Sequence, residues 1–158
     1  MSLGSDVALL KEAPFFAGFS EDHLRLIAFS AESRTLREGE VVVEAGRPLH
    51  SAYLVASGAL RALPGRPKEG KPDMAQAIAL ERGALIGELA LITEMRAHET
   101  VLAAEPSVVL QIRRSVFRRL FEEYPEIAEG LRQELTRALT ETVEQIRRVG
   151  RRLETPGD

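Results

Sequence analysis

The chain has 158 residues, 44% of them apolar and 28% charged, which suits one globular domain rather than a disordered or membrane-embedded segment. A net charge of -3 leaves no overall basic field for holding nucleic acid, and the absence of cysteine excludes disulfides, thiolate catalysis, iron–sulfur clusters and cysteine zinc sites. No apolar run is long enough to span a bilayer, and Met1 to Asp6 carry no leader pattern, so a cytoplasmic protein without membrane contact is expected.

Val7 to Glu12 reads as a short amphipathic helix that stops before Pro14. Phe15, Phe16 and Phe19 follow closely enough to anchor this end of the chain onto a core. Ser20 caps the next predicted helix, with Glu21 and Asp22 in its first turn and Leu24, Ile27 and Ala28 at helical spacing. From Ser33 the texture changes to short β-branched runs punctuated by Gly39, Gly46 and Gly58. Val41 to Val43, Tyr53 to Val55, Ala59 to Leu63, Ala77 to Leu80, Thr100 to Ala103 and Val108 to Ile112 are the predicted strands. Pro64 to Asp73 is an exposed loop between them. Regular short strands separated by turns predict a sandwich or barrel-like roll. Helical pattern returns at Ser115, a cap for Val116 to Glu123, and Pro125 opens a last helix expected to reach Leu153.

The segment that narrows the function is Gly87-Glu88-Leu89-Ala90-Leu91-Ile92, followed by Thr100-Val101. This stretch resembles the phosphate-binding cassette of cyclic-nucleotide-binding domains, those of the catabolite-activator and oxygen-regulator superfamily and of cyclic-AMP-dependent kinase regulatory subunits. Around it, Pro14 to Ser20, Gly39, Glu44-Ala45-Gly46, Ser57-Gly58, Ile112-Arg113-Arg114, Phe117 and Tyr124-Pro125-Glu126 are similar to the family's remaining signatures. The resemblance implies an α+β, mainly β fold: an eight-stranded double-stranded β-helix, or jelly roll, with N-terminal helices and a long C-terminal helix. It divides the chain into an N-terminal helix at 1–12, the roll at 13–121 and a helix at 122–153 that serves as dimerisation element or lid. It also implies cyclic AMP or cyclic GMP as regulatory ligand, with no other cofactor, and the candidate binding residues are Gly87, Glu88, Leu89, Ala90, Arg96, His98 and Thr100. Physically, Gly87 permits a tight turn and the amides of Leu89 and Ala90 at a helix start suit an anion; the resemblance implies a ribose hydroxyl as the partner of Glu88.

One departure stands out. With Thr100 held in register, Ala97 occupies the position of the family's phosphate arginine, Arg96 that of a proline, and Glu99 that of a small residue. A guanidinium–phosphate pair is a strong charge-assisted contact, and neighbouring strand residues point to opposite faces. A carboxylate about 5 Å from a phosphate would oppose it by about 3 kcal/mol at an effective dielectric of 20. Three alternatives follow: Arg96 reaches the phosphate through a shifted loop, His98 assists, or the site has left cyclic nucleotides behind.

Enzyme chemistry is not expected. His23, His50 and His98 are too scattered for a metal-dependent roll enzyme, and neither a serine–histidine elbow nor a phosphate loop of the nucleotidase kind is present. The predicted function is therefore a regulatory module sensing a small anionic ligand and signalling through its C-terminal helix to an unidentified protein partner. The alternative is a roll kept only for protein interaction. Direct DNA binding by this chain is not expected, and Arg113, Arg114, Arg118 and Arg119 read as a solvated face. Homodimerisation is expected through Leu135, Leu139, Val143, Ile146 and Val149, an apolar stripe on a helix about 40 Å long.

Overall fold

The computed structural model describes residues 3–65, 77–133 and 136–137. The chain divides into two compact units, Met1–Arg119 and Leu120–Asp158. Helix α1, Leu3–Glu12, buries Val7, Leu9 and Leu10 and ends at Pro14, which opens a single 3-10 turn to Phe16. Helix α2, Glu21–Ser30, starts where Ser20 Oγ accepts the His23 amide at 3.2 Å, a cap worth about 1 kcal/mol. It buries the three apolar residues that the helical spacing selects, Leu24, Ile27 and Ala28.

The aromatic anchor forms as expected. The Phe16 ring stands edge-on to Phe15 and Phe19, with centroids at 5.1 and 5.5 Å, and lies 6.2 Å from Phe117. Phe16 and Phe117 are both fully buried, so the two ends of this unit share one aromatic cluster.

The described residues form ten strands: β1 Glu32–Leu36, β2 Val41–Val43, β3 Pro48–Leu49, β4 Ser51–Ser57, β5 Leu60–Pro64, β6 Ile78–Leu80, β7 Leu85–Ile86, β8 Met95–Arg96, β9 Glu99–Ala103 and β10 Ser107–Arg113. Two four-stranded antiparallel sheets, in the orders β1-β10-β4-β7 and β2-β9-β5-β6, supply the eight strands of the expected roll. The short β3–β8 ladder is an addition at its mouth. Inward-facing Leu36, Val43, Tyr53, Val55, Leu60, Ala62, Val101, Ala103 and Val109 make one core between the sheets. By strand alternation Ala52, Leu54, Leu110 and Ile112 face the other way, yet they too are buried, so β4 and β10 are covered on both faces.

Gly58 turns β4 into β5 at φ +82°, and a Cβ there would stand 2.7 Å from the Pro106 carbonyl. Only glycine meets both conditions. Beyond the roll, helix α3 is Arg114–Glu123. Ser115 therefore lies inside it rather than capping it. The Arg114 amide donates to His50 O at 2.9 Å, so β10 passes into the helix without a capping residue. The helix breaks at Tyr124, and Pro125 starts the next helical run, described to residue 133. Leu135, Leu139, Val143, Ile146 and Val149 of the expected dimer seam, and most of the helix expected at 122–153, lie outside the described residues. No described helix is long and apolar enough to cross a membrane.

Candidate functional site

A cavity of about 170 Å³ opens at one end of the roll, lined by Val43, Leu49, Ile86, Gly87, Glu88, Leu89, Met95, Ala97, His98 and Glu99. Its upper wall is the turn after β7. Gly87 adopts φ +76°, a left-handed conformation, and starts the 3-10 turn Glu88–Leu91. A Cβ at Gly87 would meet Leu49 Cδ2 at 2.8 Å and Ser51 O at 3.2 Å, so the turn sits directly against β3 and β4. The Ala90 amide donates to Gly87 O at 2.9 Å and closes the turn, and the Ala90 side chain is fully buried. In a 3-10 turn this leaves the amides of Glu88 and Leu89, rather than Leu89 and Ala90, as the donors without an acceptor inside the turn.

The opposite wall is the edge from Met95 to Glu99, and its register is pinned twice. β8 pairs Met95 with Leu49 and Arg96 with Pro48. Next to that pair, the Ala97 amide donates to Arg47 O at 2.9 Å and Ala97 O accepts the Gly46 amide at 2.8 Å. Strand alternation then directs Ala97 into the cavity and Arg96 away from it. Ala97 is buried, whereas Arg96 is exposed and its guanidinium donates to Gly46 O at 2.9 Å.

The chain's match to known proteins bears on this geometry. The family model of the cyclic nucleotide-binding domain matches residues 33–124, from β1 to the break after α3. The chain belongs to that family. It is 27% identical over 111 residues to a cAMP-dependent protein kinase regulatory subunit of Hypocrea atroviridis, covering 70% of this chain and 22% of that one. It is 28% identical over 132 residues to the cyclic AMP receptor protein of Thermus thermophilus, covering 84% of this chain and 60% of the relative. It thus spans less than two thirds of the length of either protein. Among solved structures, a cyclic nucleotide-binding-like protein from Brucella abortus superimposes with a TM-score of 0.65 at 31% identity, covering 74% of this chain and 97% of that one.

Within this family frame the residues proposed for the ligand separate into three groups. Gly87, Glu88, Leu89 and His98 line the cavity. Ala90 and Thr100 support it from behind. Thr100 is buried, and its Oγ1 accepts the Ala45 amide and donates to Gly65 O, each at 3.2 Å, so it ties together the turns on either side of the mouth. Arg96 stands outside the cavity wall.

Sequence reasoning missed Arg114. Read as part of a solvated face, it is in fact half-buried, with Nε donating to Ala90 O at 2.5 Å and Nη2 to Leu49 O at 2.7 Å. The first residue of α3 thereby clamps the end of the Gly87 turn to β3. The signal was present in the alternation of β10: Arg113 pairs with Glu32 at 3.1 Å, whereas Arg114 falls on the same covered face as the buried Leu110 and Ile112, away from the core between the sheets.

Proposed function

We propose that this chain is a non-catalytic regulatory module that reports occupancy of the cavity beneath the Gly87 turn. The observation that carries this reading is the Arg114 clamp, which joins the cavity's upper wall to the first residue of the helix leaving the roll. A ligand that shifts the Glu88–Leu91 turn must strain or relax the hydrogen bond from Arg114 to Ala90 O, while the bond to Leu49 O holds the same guanidinium to β3, which is the differential contact a conformational signal requires. Family membership brings cyclic AMP or cyclic GMP as the ligand class, with Glu88 toward a ribose hydroxyl and the free amides of Glu88 and Leu89 toward a phosphate. Ala97 on the opposite wall supplies no guanidinium and Glu99 adds a carboxylate, so affinity for a cyclic phosphate is expected to be weak. The same observation favours a second reading, a roll retained for protein contact or self-association without nucleotide.

Calorimetric titration of cyclic AMP and cyclic GMP into the protein and into Ala97→Arg/Glu99→Ala separates the readings. We expect no saturable binding of either nucleotide by the native chain at micromolar concentration, and a gain of at least about tenfold in the variant. Submicromolar binding by the native chain, unaltered in the variant, would show that Ala97 does not face the phosphate.

A further inference from the structure

We infer that the cavity is specified for a compact ligand with an apolar body and a positive charge, of the size of a one-ring aromatic amine. This inference rests on the reading above that the cavity is the sensing site, and it changes the chemistry of what is sensed. The walls are apolar: Val43, Leu49, Ile86, Met95 and Ala97 line the interior, and Leu89 stands at the cavity 47% exposed, an aliphatic side chain available to close over a bound ring. The volume of about 170 Å³ belongs to the range in which an apolar cavity accepts a single aromatic ring, roughly 150 Å³ for benzene.

The charge preference comes from what borders that volume. Among the described residues lining it, Glu88 and Glu99 are the carboxylates, His98 is the imidazole, and neither lysine nor arginine is present. The guanidiniums around it are committed elsewhere: Arg96 to Gly46 O, Arg114 to Ala90 O and Leu49 O, and Arg47 to the Glu44 carboxylate at 3.0 Å. Arg47 and Arg113 border a second, more polar depression of about 390 Å³, which shares Val43, Leu49 and Ala97 with this cavity but has neither Glu88 nor Glu99 in its lining. Two carboxylates beside low-dielectric walls favour a cation and oppose an anion, the reverse of what a cyclic phosphate needs.

The test compares three ligands of one shape and different charge, benzylamine, benzyl alcohol and benzoate, by calorimetry on the full chain. The expected order of affinity is benzylamine, benzyl alcohol, benzoate, with about tenfold between the first two. Glu99→Gln should remove most of the amine's advantage, and Ala97→Arg should invert the order. Tighter binding of benzoate by the native chain, or no binding of benzylamine at millimolar concentration, overturns the ligand class. An order that stays the same in Ala97→Arg and in Glu99→Gln places binding outside this cavity and overturns the sensing-site reading instead. Should Ala97→Arg fail to fold, the Glu99→Gln comparison alone decides.

Discussion

The Gly87 turn and the edge from Met95 to Glu99 border the same cavity, but the chain holds them by different means. The turn is fixed by side chains and by a backbone state that few residues tolerate: Gly87 at φ +76°, Leu49 and Ser51 against it, Ala90 buried beneath it and Arg114 bonded to its Ala90 carbonyl. The edge is fixed mainly through main-chain bonds, Ala97 to Arg47 and Gly46 and the β3–β8 pair, with one side-chain bond from Arg96 to Gly46 O beside them. A wall held by its backbone can exchange side chains without unfolding, whereas a wall held by side chains cannot. The resemblance read from the sequence places its match, Gly87-Glu88-Leu89-Ala90, on the first wall and its expected departures, Ala97 and Glu99, on the second.

Substitution at Gly87 should give the largest effect. Ala at that position combines left-handed strain with a Cβ pressed toward the rigid Ser51 carbonyl, and we expect Gly87→Ala to lose about 2–4 kcal/mol of stability. Urea denaturation reads this as a lower midpoint at unchanged slope. A loss below about 0.5 kcal/mol, within the range of ordinary surface substitutions, would mean the turn relaxes freely and is no more constrained than the edge.

Next in size is the clamp. Arg114→Met keeps much of the aliphatic volume and removes two charge-assisted donors from backbone carbonyls, so a loss of about 2 kcal/mol is expected. Arg113→Met is the matched control. Its ion pair with Glu32 is exposed, and no measurable change in the urea midpoint is expected. Equal effects from the two neighbouring arginines would break the distinction between the clamp and the surface.

Much of this contrast was legible before the structure. The Gly87 turn, the Ser20 cap and the aromatic anchor are local patterns in which each residue's requirement shows in its type, and strand alternation, with the register held at Thr100, set Ala97 against Arg96. The three shortest strands, β3, β7 and β8, were not legible, because two residues cannot display a period of two and their pairing is dictated by the roll. β1 escaped for another reason: Glu32-Ser33-Arg34-Thr35-Leu36 is mostly polar and buries only Leu36, so it carries no apolar alternation. Arg114 was hidden by its neighbours. A run of arginines invites one shared reading, although the turn from strand to helix sends adjacent side chains to opposite sides.

Among the residues bordering the cavity, the smallest stability effect should come from the rim. Glu99 heads β9, and its backbone pairs with Pro64 whatever its side chain, so Glu99→Gln leaves every main-chain contact of the edge in place. It also removes one of the two carboxylates bordering the cavity. We therefore expect a change within about 0.5 kcal/mol. A residue whose removal leaves the fold unharmed, while altering which charge the cavity accepts, is acting in recognition rather than in folding. A loss above about 1 kcal/mol in the same urea experiment would instead make the edge depend on its side chains as the turn does, and the asymmetry between the two walls would disappear.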